Sequence, residues 1–119
     1  MTLLTLGTFT SAAPMNNPLQ PQHCARKLRA LADPERLRII ECLRSGPKNV
    51  GEIADMLESV IVKISHHLGV LKQADVVLDE KHGRFVVYRL NHAVYQPTGT
   101  SEGTEHLDLG CCRLEIPKA

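Results

Sequence analysis

Twelve residues, Val60-Ile61-Val62-Lys63-Ile64-Ser65-His66-His67-Leu68-Gly69-Val70-Leu71, constrain the fold of this chain more than any others. Ile64, Leu68 and Leu71 recur at i, i+4 and i+7, which lays them along one side of a helix. Lys63, Ser65 and His66 fall on other sides of the same turns and carry groups that donate to phosphates and base edges. A helix with a single apolar stripe must bury it. The sequence therefore predicts a helix seated on a core, with a polar and partly cationic side left free.

The neighbouring segments supply that core. Leu28 and Leu31, with Cys24 or Ala25, give residues 22–32 an apolar side opposite Arg26, Lys27 and Arg29, a first helix. Asp33-Pro34-Glu35 opens a second: Asp33 can cap it, Pro34 suits its first position, and Glu35 favours the positive end of the helix dipole. Leu37, Ile39, Ile40 and Leu43 are expected inward, with Ser45-Gly46-Pro47 as the stop. Asn49 and Glu52 have capping-box spacing for a third helix, whose core side reads Ile53, Met56 and Leu57. The striped segment is the fourth, from Val60 or Ile61 to Ala74. Two β-rich runs, 76–80 and 84–90, flank Lys81-His82-Gly83, where Gly83 supplies the positive φ of a tight hairpin. Residues 91–96 read as one or two helical turns, and 107–116 as a strand or short helix containing Cys111-Cys112.

The fold class expected is mainly α with a small β-hairpin: a winged helix-turn-helix, three-helix core plus wing. The chain then divides into a flexible N-terminal arm over residues 1–21, a winged helix-turn-helix DNA-binding domain over 22–96, and a C-terminal extension with vicinal cysteines over 97–119. The arm follows from composition. Residues 1–25 hold no Asp, Glu, Lys or Arg, and Pro14, Pro18 and Pro21 stand among Thr, Ser, Asn and Gln, too little apolar area to offset ordering. Leu3, Leu4, Leu6 and Phe9 ahead of Ser11-Ala12-Ala13 offer a competing secretory reading, but a basic leading region is missing and the apolar run is short and broken. Met15 is an alternative start. No apolar run approaches the ~20 residues of a membrane span, so no membrane partner and a cytoplasmic location are expected.

In a helix-turn-helix the second helix enters the major groove and the first braces it across the backbone. Lys63, Ser65 and His66 would then face the groove, with His67 at the edge between groove and core. Lys81 and Arg84, at the hairpin tip, would reach a flanking phosphate or the minor groove. Between Arg26 and Leu90 basic residues outnumber acidic ones 12 to 9, a balance suited to a double-stranded DNA partner. Aromatic content of 3% and the absence of Trp argue against a base-stacking single-strand binder. The competing readings are a surface on which Lys63 and Ser65 are merely solvated, and a winged-helix interaction module that binds protein rather than DNA.

Three runs carry a resemblance. Leu31-Ala32-Asp33-Pro34-Glu35-Arg36-Leu37-Arg38-Ile39-Ile40, Gly51-Glu52-Ile53-Ala54 and Ile64-Ser65-His66-His67-Leu68-Gly69-Val70-Leu71-Lys72 resemble the ArsR/SmtB metal-responsive repressors, and Val77–Leu90 resembles their wing. The resemblance covers residues 24–92. It implies a homodimeric repressor on an inverted-repeat operator, released by an inducer. It places Lys63, Ser65, His66 and His67 on the recognition motif and Lys81 and Arg84 on the wing. Two positions depart from the pattern: Glu58 stands where the family usually has Gly, and Val60 where it usually has Ser. Weaker backbone contact, with the cap shifted to Ser59, is the expected consequence.

The family's thiol site on the third helix is absent, since Val50, Glu52 and Ala54 occupy that region, and Asn91-His92 with His106 does not reproduce its C-terminal zinc site. Four cysteines remain. Cys42 lies among apolar residues and reads as a small buried hydrophobe. With no targeting signal, structural disulfides are not expected. Vicinal Cys111 and Cys112 suit a soft thiophilic ion. By analogy with the family's dimer interface, Cys24 of one subunit would join Cys111 and Cys112 of the other as a metal site, with trivalent arsenic as a candidate inducer. Thiol oxidation, or simple packing, are the alternatives. Catalysis is not expected: His66 and His67 are neighbours ~100° apart on a helix and cannot chelate together, and no phosphate-cradling glycine pattern or nucleophile elbow occurs.

Overall fold

The computed structural model describes residues 21–96 and 104–117; the expected flexible arm, Pro21 apart, lies outside them. Its elements run α1 (Pro21–Leu31), α2 (Pro34–Leu43), β1 (Lys48–Asn49), α3 (Val50–Leu57), α4 (Ile61–Gln73), β2 (Val77–His82), β3 (Phe85–Leu90), β4 (Tyr95–Gln96), β5 (Thr104–Asp108) and β6 (Arg113–Pro117). The local start signals act as their chemistry demands. Asp33 accepts from the backbone N–H of Glu35 at 2.8 Å and of Arg36 at 3.2 Å, satisfying donors the first turn leaves open. Asn49 and Glu52 close a reciprocal capping box at 2.8 and 2.9 Å.

The core is built where the helices meet. Ile39 and Ile40 of α2, Ile53 of α3, and Ile64, Leu68 and Leu71 of α4 are almost wholly buried, joined by Val76, Val77 and Leu107. The stripe that defined the fourth helix is thus its anchor. Cys42 is buried as expected, and desolvation pushes its thiol pKa up.

Three expected core residues are instead exposed: Leu28, Leu37 and Met56. At ~100° per residue, Leu37 stands opposite Ile39, so both cannot face inward. Met56 sits on the flank of the Ile53, Ala54 and Leu57 face, where its Sδ meets Cys42 Sγ at 3.4 Å. Leu28 lies outside the face that α1 buries, which is Lys27, Ala30 and Leu31. Lys27 shares that face because it lies one turn before Leu31. Its Nζ donates to the Ala74 carbonyl at 2.9 Å.

Among the described residues two three-stranded antiparallel sheets accompany the helices, ordered β1-β3-β2 and β4-β5-β6. The wing hairpin pairs Val77 with Leu90 through His82 with Phe85, which puts Lys81 in strand β2 and leaves Gly83-Arg84 as the turn. Gly83 takes φ 65°, the conformation its missing Cβ allows. The two-residue strand β1 holds the wing to the helical core through Lys48–Tyr88 and Asn49–Val87 pairs. Beyond Leu90, where one or two helical turns were the expectation, the Asn91 carbonyl closes a single turn with the N–H groups of Val94 and Tyr95; Tyr95 and Gln96 then pair as a strand with Leu107 and His106, and β5 pairs with β6. Leu107 and Leu109 enter the main core, so this second sheet is packed on the helices.

Candidate nucleic-acid interface and cysteine cluster

Helix α4 begins after a left-handed turn at Glu58 (φ 54°, ψ 49°). Its N-cap is Val60, in extended conformation and without a side-chain hydrogen bond; the cap does not move to Ser59. The Ser59 hydroxyl serves another purpose. It is the foremost stabiliser of the Glu35 carboxylate, which Lys63 and His67 also hold below the ordinary carboxylate range against the opposing effect of burial. Glu35 Oε1 lies 3.5 Å from Lys63 Nζ and 3.4 Å from His67 Nε2. One carboxylate at the start of α2 thereby ties the turn and the first two turns of α4 together. A salt link from Lys72 to Asp79 at 2.9 Å fixes the end of α4 to the wing.

This geometry sorts the expected DNA-facing residues. Ser65 and His66 are exposed on the side of α4 away from the core. Lys63 is also exposed, its ammonium reaching back to Glu35 but open to solvent. His67 is corrected: it is 8% exposed and bound to Glu35, because four residues before Leu71 puts it only ~40° around the helix from a buried position. Its Nδ1 is buried without a hydrogen-bond partner. Lys81 and Arg84 are exposed at the wing tip beside Phe85. Next to them, Glu80 accepts from His82 at 3.2 Å and Arg89 at 3.4 Å, and both partners, His82 first, hold its carboxylate low. Val60, Ile61 and Val62 form an exposed apolar leading edge on α4; their place beside the striped positions was readable, their exposure was not.

The cysteines gather within one chain, which corrects the expected inter-subunit pocket. The β5–β6 hairpin folds back onto α1, and Cys24 and Cys111 form a disulfide with Cα atoms 5.9 Å apart across 87 positions. The expectation of no structural disulfide is overturned by that contact, which sequence spacing does not reveal. Cys112 stays a free, half-buried thiol. Cys111 and Cys112 lie in the turn after Gly110 (φ 91°), outside regular strand, so adjacent sulfurs can approach one centre. The three sulfur atoms lie within 4.8 Å of one another. His106 takes no part in that cluster; its Nε2 lies 3.7 Å from Glu115.

Comparison with known proteins places these features. The sequence model of the arsR family of bacterial regulatory proteins matches residues 33–78. The HTH-type transcriptional regulator NmtR of Mycobacterium tuberculosis is 35% identical over 106 residues, covering 87% of this chain and 88% of that protein. The transcriptional repressor SdpR of Bacillus subtilis is 41% identical over 68 residues, 57% of this chain and 76% of its own. Among solved structures, the homodimeric winged helix-turn-helix DNA-binding domain of a Mycobacterium bovis regulator superimposes with a TM-score of 0.57 at 30% identity, over 59% of this chain and 65% of that one. The fold here is therefore a winged helix-turn-helix, and the chain belongs to the arsR family of bacterial regulatory proteins.

Proposed function

We propose that this chain is a DNA-binding transcriptional repressor, acting as a homodimer on an inverted-repeat operator and released when a thiophilic metal or metalloid binds its cysteines. One observation carries the DNA reading: α4 is clamped by three wholly buried residues and by Glu35, yet leaves Lys63, Ser65 and His66 open to a groove. Lys81 and Arg84 on the wing supply the flanking phosphate or minor-groove contact. The dimer is supported by the homodimeric relative, and a twofold protein reads a palindromic site. A mobility-shift assay on duplexes selected from a random pool tests this. Affinity falls steeply with salt and drops in a Lys63→Ala, His66→Ala variant. A protein with no duplex affinity at low salt is the interaction module instead.

The sensor reading rests on donor chemistry. Reduced, Cys24, Cys111 and Cys112 present three soft thiolates close together, a set that fits trivalent arsenic or a similar thiophilic ion and discriminates against hard cations. Arsenite then releases the duplex, while a Cys111→Ser, Cys112→Ser variant stays bound at the same dose. The Cys24–Cys111 bond favours a second reading, thiol oxidation as the input: one hydrogen peroxide takes two electrons and two protons from the two thiols and leaves as two waters. Release by peroxide but not by arsenite selects that reading.

A further inference from the structure

A cleft of about 300 Å³ lies between α1, the start of α2 and the end of α4, away from the cysteines. Three guanidiniums line it, from Arg26, Arg29 and Arg36, together with the Gln73 amide and the small apolar surfaces of Val70 and Ala74. Its charges are unbalanced. Among the described residues neither Arg26 nor Arg29 has a hydrogen-bond or ion-pair partner. Arg36 faces Asp33 at a loose 3.7 Å, and its Nε is buried with no hydrogen bond. Behind the wall lies a fourth cation: buried Lys27, whose Nζ is held by the neutral carbonyl of Ala74, itself a lining residue. Asp33 is the one carboxylate paired with any of these four among the described residues.

Half-buried Arg36 and buried Lys27 share a single loosely paired carboxylate, exposed Arg26 and Arg29 add unpaired charge at the rim, and a planar guanidinium is built to grip an oxyanion through paired N–H donors. The volume, at the lower end of ligand-site sizes, and the apolar patches suit more than a bare inorganic ion. We propose that this cleft binds a small organic oxyanion, phosphate- or carboxylate-bearing, through Arg26, Arg29 and Arg36. The site is separate from the thiol cluster and does not depend on it. Val70 and Gln73 also line a second hollow of about 300 Å³ with Ser65, His66 and Gly69, so an occupant of the cleft shares α4 side chains with the face proposed to read DNA.

Calorimetric titration of the full-length reduced protein with phenyl phosphate and with citrate, at constant ionic strength set with sodium chloride, tests the proposal. One saturable site per chain is expected for at least one probe. An Arg26→Gln, Arg29→Gln variant, both positions being exposed, keeps its melting curve and binds that probe at least about 10-fold more weakly, as loss of charge-assisted contacts requires. Absence of saturable binding by both probes overturns the proposal, as does equal affinity in the variant. A variant that loses duplex affinity with no anion present also overturns it, since the two guanidiniums would then belong to the DNA backbone contact.

Discussion

Glu35 and His67 stand 3.4 Å apart, carboxylate Oε1 to imidazole Nε2, and join the start of α2 to the middle of α4. The pair is mostly shielded from solvent, with side chains 16% and 10% exposed. This makes His67 a brace of the helix-turn-helix. Replacing it with Gln or Ala is expected to lower folding stability, since the Glu35 carboxylate keeps Ser59 and Lys63 but loses its third stabiliser. Duplex affinity per folded molecule is expected to hold. Urea denaturation beside a mobility-shift titration checks both, and a large affinity loss without a stability loss would return His67 to the DNA face.

The same carboxylate predicts an acid-sensitive clamp. Its pKa is held below the ordinary 4.5 by Ser59 first, then Lys63 and His67. A carboxylate depressed in the folded state contributes stability that is fully present above its unfolded value and lost as pH falls through the folded one. Glu35→Gln is therefore expected to be less stable than the natural protein near neutral pH, with the difference shrinking as pH falls below 4.5. Stability curves that stay parallel from pH 7 to below the carboxylate range would remove the clamp from the account.

Glu58 takes a backbone conformation that glycine adopts freely, φ 54° and ψ 49°. The left-handed region costs a residue with a Cβ roughly 1–2 kcal/mol, and glycine gives back about 0.5–1 kcal/mol through a freer unfolded chain. Glu58→Gly is expected to stabilise by about 0.5–1 kcal/mol, read as a higher urea midpoint with unchanged slope. A neutral or destabilising result would mean that the Glu58 side chain earns its place by a contact.

The parts of this fold that were legible in the chain are those set by local chemistry. Asp33-Pro34, the Asn49–Glu52 box and Gly83 each mark a boundary within a few residues, because caps and turns need only neighbouring atoms. The stripe Ile64, Leu68, Leu71 announced its burial by period alone. Flank positions were legible only as flanks: His67 read as an edge position and Lys27 as polar, yet both share a face with Leu71 and Leu31, and only the packed partner decides which of two adjacent faces is covered. Strands β1 and β4 were missed for a related reason, since two-residue strands pair through long-range contacts that leave no periodic trace, while the strand reading of 107–116 fell on what is a hairpin of two strands, β5 and β6. Thiol chemistry singled out Cys24, Cys111 and Cys112; that one chain gathers all three was outside what spacing can say.

Val60 begins α4 with no side-chain acceptor for the open N–H groups of its first turn. Its side chain is 64% exposed, so a smaller polar residue enters without disturbing the core. Val60→Ser is expected to stabilise by about 1 kcal/mol through a new cap. It also sets a hydroxyl where a DNA phosphate would pass, so duplex affinity is expected to rise along with stability. Higher stability with unchanged affinity would place this end of the helix away from the backbone.

The Cys24–Cys111 bond closes a loop of 87 positions between α1 and the β5–β6 turn. Chain-entropy arguments assign a closure of that length up to about 4–5 kcal/mol, so a thiol reductant is expected to lower the unfolding midpoint clearly. Trivalent arsenic held by all three sulfurs would re-close the same loop, and a ligand confined to the native state stabilises it. Arsenite added to reduced protein is therefore expected to recover much of the lost stability. Cys112→Ser separates the two closures: its oxidised form keeps the full midpoint, while its reduced form recovers less with arsenite, having two donors left. Cys24→Ser is expected to respond to neither reductant nor arsenite in this way. If reduced Cys24→Ser is stabilised by arsenite as strongly as the natural chain, the vicinal pair binds alone and the link to α1 has no part in sensing.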